Sequence, residues 1–120
     1  MFNKEYEAMP IDKLKKLQYE RLKWSLTHAY NNNPFYKKKF DAAGFHPDKF
    51  KSLADMKHVP FLYKQDMRDN YPFGLFAVPM SKVVRVHSSS GTTGNATVVG
   101  YTKNDVGVFA EVVARCLAAY

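Results

Sequence analysis

The stretch Val83-Val84-Arg85-Val86-His87-Ser88-Ser89-Ser90-Gly91-Thr92-Thr93-Gly94-Asn95-Ala96-Thr97-Val98-Val99-Gly100-Tyr101 decides the architecture. Two short β-branched runs, residues 83–86 and 97–101, flank a tract of Ser, Thr and Gly. Branched side chains favour the pleated backbone, whereas glycine and small hydroxyl residues favour turns. The pattern therefore predicts strand, polar loop, strand. A helix follows with a well-marked start. Thr102 is placed to cap it, and Asp105 completes a capping box while suiting the positive end of the helix dipole. Val106, Phe109, Val112, Val113, Cys116 and Leu117 form its apolar stripe, on which Cys116 is expected to be a buried, inert thiol.

Residues 1–80 read differently, as short helices punctuated by Pro and Gly. Between residues 11 and 30, Ile11, Leu14, Tyr19, Leu22, Leu26, Ala29 and Tyr30 recur on one broad helical face. Lys13, Lys16, Glu20, Lys23 and Thr27 fall largely opposite, on the expected solvent side. Asn31-Asn32-Asn33-Pro34 breaks that helix, and Pro34 suits the first turn of the next, through Phe35, Tyr36 and Phe40 to Gly44. His46-Pro47-Asp48 predicts a turn, residues 53–56 a short helix ended by Val59-Pro60, and residues 63–70 another before Tyr71-Pro72-Phe73-Gly74. The expected class is α+β for these 120 residues, mostly helical over 1–80 and strand–loop–strand–helix over 81–120.

Composition narrows the function classes. Apolar residues at 46% and charged residues at 24% are ordinary for a folded soluble chain, and 15% aromatics imply a large core or one that expects more protein around it. No apolar run approaches the roughly 18–20 residues of a membrane span, and residues 1–20 mix Glu and Lys among apolar positions, unlike a signal peptide. The single Cys116 has no disulfide partner, so a cytoplasmic protein without membrane attachment is expected. The net charge of +7 raises nucleic acid as a partner, but Asp12, Glu20 and Asp41 interrupt the lysines, and no zinc-finger spacing or RNA-binding signature is present. The expectation is solvated helix faces and no nucleic acid. His28, His46, His58 and His87 are dispersed, so no metal site is expected on them.

The loop has its own chemistry. Gly91 and Gly94 let backbone approach a ligand closely, successive N–H groups can form an anion nest, and Ser88, Ser89, Ser90, Thr92 and Thr93 add uncharged donors. Those are the requirements for gripping the β- and γ-phosphates of ATP. It is not a Walker loop, which has Gly, four residues and then Gly-Lys-Ser/Thr. A Ser/Thr/Gly hairpin linker has the same composition, and composition does not choose between them.

The string His87-Ser88-Ser89-Ser90-Gly91-Thr92-Thr93-Gly94, continued by Thr97-Val98-Val99-Gly100-Tyr101-Thr102-Lys103-Asn104-Asp105, resembles the phosphate-loop region of the phenylacetate–coenzyme A ligases, members of the adenylate-forming superfamily. Val59-Pro60-Phe61, Lys64-Gln65-Asp66-Met67-Arg68, Asn70-Tyr71-Pro72-Phe73-Gly74-Leu75 and Val113-Ala114-Arg115 extend the resemblance, which covers residue 10 onward. One departure stands out: the family continues its loop with Lys-Pro, and Asn95-Ala96 stand here. The loss removes a charge and loosens the exit of the turn.

The resemblance implies an α/β enzyme that activates a carboxylate with Mg-ATP to an acyl-adenylate and then transfers it to coenzyme A. An aryl acid such as phenylacetate is the implied substrate. It assigns ATP-phosphate binding to Ser89, Ser90, Gly91, Thr92, Thr93 and Gly94, and Mg2+ and coenzyme A to the complete enzyme. No catalytic residue is expected in this chain, because the family's adenine-binding segment, hinge and carboxy-terminal lysine lie further on. The ending Ala118-Ala119-Tyr120, without Gly or another stop signal, is expected to mark residues 1–120 as the amino-terminal portion of the adenylating domain, inactive alone. Open strand edges predict a homodimer or a swapped oligomer. Two other readings stay open: a ligase that adenylates a carboxylate for another acceptor, such as a deazaflavin coenzyme, and a basic module that binds nucleic acid or protein.

Overall fold

The computed structural model describes residues 1–90 and 94–119. Helix α1 spans Lys4–Glu7, α2 Ile11–Asn32, α3 Pro34–Ala42, α4 Lys64–Asp69 and α5 Lys103–Leu117, with strands β1 at Val83–Ser88 and β2 at Val98–Thr102. Short 3-10 turns at Pro47–Lys49, Leu53–His58 and Met80–Lys82 link them.

The sharp corner between α2 and α3 follows from one dipeptide. A residue before proline is excluded from helical backbone, and Asn33 is extended, at φ −137° and ψ 119°. That conformation ends α2 and makes Asn33 the N-cap of α3, where its side-chain oxygen accepts from Phe35 N (3.0 Å) and Tyr36 N (3.2 Å). Its amide nitrogen donates to Gly74 O at 2.9 Å and Phe76 O at 3.0 Å. Asn33 is only 3% exposed, so its side chain ties the helical corner to a segment 41 residues away in sequence.

At its other end α3 closes in a Schellman motif. Phe45 N donates to Phe40 O and Gly44 N to Asp41 O, both at 3.0 Å, with Gly44 at φ 65°. The Phe45 ring meets Phe40 edge-on at 5.2 Å. Together with Leu26 and the fully buried Phe50, these rings form the core, and Tyr19, Leu22, Tyr30, Tyr36 and Val59 pack around them.

Two sequence expectations for α2 are corrected. Ile11, assigned to the buried face, is 59% exposed, because the core starts further along the helix. Lys23, assigned to solvent, donates its ammonium to Pro47 O (2.6 Å) and Phe50 O (3.0 Å), carbonyls at the tight turn where Pro47 O also accepts from Phe50 N. The helix ends at Asn32, within the Asn31-Asn32-Asn33-Pro34 breaker.

Helix α4 is pinned by Asp66. Its carboxylate accepts from Tyr63 N at 2.7 Å and from Lys39 Nζ at 2.6 Å, which joins α4 to α3. The Lys39 hydrogen bond, followed by that from Tyr63 N, holds the Asp66 carboxyl below its usual range.

β1 and β2 pair antiparallel, with Ser88 opposite Val98 and Val86 opposite Gly100. The register slips between Val83 and Arg85, as at a bulge. Phe76, whose carbonyl Asn33 holds, lies against Gly100: a Cβ there would stand 2.5 Å from the ring, so only glycine lets ring and strand meet. At the end of β2, Thr102 passes directly into α5. Its hydroxyl accepts from Asp105 N (3.2 Å), and the Asp105 carboxylate accepts from Thr102 N (2.8 Å), the expected capping box.

The apolar stripe of α5 is another correction. Phe109, Val112, Val113 and Leu117 are exposed, and so is Cys116. The helix packs on the hairpin and meets the start of the chain through Asn3 Nδ2 donating to Glu111 at 2.7 Å, Arg115 facing Glu7 at 3.9 Å and the Arg115 guanidinium over the Tyr6 ring at 5.8 Å.

Three outcomes are expected from these contacts. Asn33→Ala removes a cap and the two hydrogen bonds to the Gly74 and Phe76 carbonyls, so urea unfolding should register a loss of about 2–4 kcal/mol; a loss below about 1 kcal/mol would reduce Asn33 to an ordinary cap. Gly100→Ala should cost about 1–3 kcal/mol by overpacking, and Phe76→Leu in the same chain should recover most of it. Because folding lowers the Asp66 pKa, its contribution is present above the ordinary carboxylate range and lost as pH falls through the depressed value. Asp66→Asn should accordingly flatten the acid limb of a Tm-against-pH profile.

Candidate functional site

The loop grows out of the far end of the hairpin. The ladder's last pair is Ser88 opposite Val98, and one residue on, Ser89 N donates to Thr97 O at 3.0 Å. The Ser89 hydroxyl oxygen in turn accepts from Thr97 N at 3.0 Å. Ser89 thus closes the neck with backbone and side chain together, while its hydroxyl hydrogen remains a donor. The Ser88 hydroxyl donates to Ser89 O at 3.2 Å, and the side chain of Ser90 is exposed.

Of the residues expected to bind phosphate, Ser89, Ser90 and Gly94 lie together around this neck, and Gly91, Thr92 and Thr93 lie outside the described residues. Gly94 is at φ 130°, a backbone conformation that L side chains rarely adopt. Asn95 beside it is exposed.

The local charge suits a polyanion. Residues 82–104 contain no Asp or Glu, whereas Lys82, Arg85 and Lys103 lie within that span. Arg68 of α4 approaches from outside the hairpin, its guanidinium carbon 3.9 Å from where a Cβ on Gly94 would stand. Sequence reading missed it, since 26 residues separate the two and no local pattern joins them. Hydroxyl donors, a glycine in the left-handed half of backbone space, and nearby cations together suit the phosphates of ATP. His87 also borders the loop, its ring tilted against Tyr101 at 4.7 Å.

Two open clefts adjoin the hairpin. One, of about 590 Å³, is lined by apolar residues that include Trp24, Leu62, Phe76, Val98 and Val99. The other, of about 720 Å³, lies along α5 between Tyr6, Arg21, Lys103 and Arg115. Neither is lined by Ser88, Ser89, Ser90 or Gly94. Among the described residues no three His, Cys, Asp or Glu side chains gather as a metal cage requires. No helix among the described residues is long and apolar enough to cross a membrane.

No protein-family model matches the chain. Individual relatives do. It is 63% identical over 113 residues to a phenylacetate–coenzyme A ligase of Aromatoleum evansii and 59% identical over 113 residues to that of Escherichia coli, in each case over 94% of this chain. With a phenylacetate–coenzyme A ligase of Thermus thermophilus it shares 57% identity over 119 residues, or 99% of this chain. The chain spans about a quarter of the length of these relatives, 26–27%. Among solved structures, 2-hydroxyisobutyryl-CoA ligase in complex with 2-HIB-AMP and CoA, in its thioesterification state, superposes with a TM-score of 0.73 at 38% identity, over 81% of this chain and 22% of that one. An open conformation of the same ligase gives a TM-score of 0.71 at 34% identity, with the same coverage of this chain. In sequence the chain is thus homologous to about a quarter of the length of phenylacetate–coenzyme A ligases, and in backbone course it matches 22% of a 2-hydroxyisobutyryl-CoA ligase.

Proposed function

We propose that this chain supplies the ATP phosphate-binding part of an AMP-forming ligase that joins phenylacetate, or a similar aryl acid, to coenzyme A. One observation carries the reading: a hairpin loop of hydroxyls and glycines, clamped at its neck by Ser89 and Thr97, in a chain 54–63% identical to phenylacetate–coenzyme A ligases. The adenylate and CoA in the related 2-hydroxyisobutyryl-CoA ligase support a reaction in two halves.

In the first half, a carboxylate oxygen bonds to the α-phosphorus of Mg-ATP as the bond to the bridging oxygen breaks, releasing pyrophosphate. In the second, the coenzyme A thiol attacks the acyl carbon and AMP departs. The part of this chain is electrostatic. Ser89, Ser90, Gly91, Thr92, Thr93 and Gly94 offer hydroxyl and backbone N–H donors where charge grows on the leaving pyrophosphate, and donors fixed in advance need no reorganisation during the step. The clamp at the neck provides that fixity. Residues 1–80 act as the helical support of an adenylating domain, and residues 81–120 carry its phosphate loop.

Some of the lysines behind the high net charge are engaged within the fold: Lys23 and Lys49 donate to backbone carbonyls, and Lys37 and Lys39 face Asp41 and Asp66.

The chain alone is expected to show no carboxylate-dependent ATP–pyrophosphate exchange, because the proposed assignment gives it no catalytic residue; robust exchange by the purified chain overturns the assignment. Equilibrium binding tests the loop. Gly94→Val should weaken ATP binding about tenfold or more by forcing a side chain into a strained conformation, and an unchanged affinity removes Gly94 from the site.

A further inference from the structure

We propose that Arg68 is a phosphate-contacting residue of the ATP site, supplying from α4 the positive charge that the loop itself lacks. The proposal rests on the phosphate-loop reading above and concerns a residue outside that loop.

Residues 88–95 contain no charged side chain, and the position after Gly94 is the neutral Asn95. Hydroxyls and N–H groups orient phosphate oxygens, but the triphosphate of ATP carries several negative charges, and a cation beside them roughly doubles the strength of a hydrogen bond. The Arg68 guanidinium carbon lies 3.9 Å from where a Gly94 Cβ would stand, so a cation fronts the loop at the glycine where the chain re-enters the hairpin. Its planar fork of donors matches a phosphate's oxygens two at a time, which a lysine does not.

The support behind Arg68 is rigid. Asp66, two residues earlier, is fixed by Tyr63 N and Lys39. Just after it, Tyr71 N donates to Arg68 O at 3.2 Å and Asn70 Nδ2 to Asp66 O at 2.8 Å. The following turn is held at Gly74 O by the buried Asn33. The Arg68 Nε is itself shielded from solvent, which strengthens a charge-assisted contact at the head group. Asp66 is engaged by Lys39, and Asp69 accepts from Gln65 Nε2 at 2.6 Å.

The test is an NMR titration of the isotopically labelled chain with inorganic tripolyphosphate, ATP and AMP. With the unaltered chain, tripolyphosphate and ATP should shift the amide signals of Ser89, Ser90 and Gly94 together with the Arg68 Nε–H signal, and AMP should not. Arg68→Met should weaken tripolyphosphate binding about tenfold, as expected for losing a charge-assisted contact, while the Gly44 amide, remote from the site, keeps its position as a sign of intact folding. Arg68→Lys keeps the charge without the fork and should lose about threefold; this variant decides the matter if Arg68→Met does not fold. Undiminished tripolyphosphate affinity in a folded Arg68 variant overturns the role of Arg68 and leaves the loop reading standing. If tripolyphosphate leaves Ser89, Ser90 and Gly94 unmoved in the unaltered chain, the phosphate-loop reading falls, and the Arg68 proposal with it.

Discussion

A single buried amide organises the molecule. Asn33 spends its side-chain oxygen on the first turn of α3 and its nitrogen on the carbonyls of Gly74 and Phe76. An unmet buried polar group costs more than a made hydrogen bond gains, so the corner of the helical region and the turn before the hairpin are fixed together. The constraint then passes by packing. Phe76 presses on Gly100, Gly100 lies in β2 opposite Val86, and one end of β2 forms the loop neck while the other becomes the cap of α5. The hairpin is in this way tied by packing to a residue that lies outside it.

The local half of this arrangement was legible in the sequence. Asn33-Pro34 marks a corner because proline restricts the residue before it. Gly44 marks the end of α3, and Thr102 with Asp105 marks the start of α5, because both signals act within a few residues. The strands were readable from their branched residues, although β1 runs on to Ser88. What the sequence concealed is long-range. That Asn33 bonds to Gly74 and Phe76, and that Lys23 reaches Pro47 and Phe50, depends on how distant segments are brought together. Helical periodicity placed Lys23 opposite the core by its polarity, but a long aliphatic stem can follow the surface and deliver its ammonium to a carbonyl.

The candidate site divides in the same way. Its composition announced donors and conformational freedom, and the resemblance assigned them a ligand class. That Ser89 also serves as a structural clamp could not be read from its position in a run of three serines. Arg68 gave no signal at all, because a single arginine in a short polar helix reads as solvated surface. Only the placement of α4 beside the hairpin makes it a neighbour of Gly94.

Periodicity and burial part company most clearly in α5. The apolar stripe is real, but Val112, Val113 and Leu117 face solvent, as do Trp24 and Phe61 elsewhere. A folded surface normally carries scattered apolar residues, whereas contiguous ones mark contact with something further. The buried core is correspondingly small for a chain so rich in aromatics, four apolar side chains centred on Phe40 and Phe50. It stabilises the helical region, and the Phe76–Gly100 contact and the Asn33 bonds help carry that order across to the hairpin. The homologous ligases are about four times longer than the segment they share with this chain. A stripe that reads as core and lies open is what one face of a larger apolar interior looks like when its opposing residues are not part of the same 120. The hairpin therefore joins the small core through the Phe76–Gly100 contact and the turn that Asn33 holds, while the apolar faces around it remain surfaces for packing.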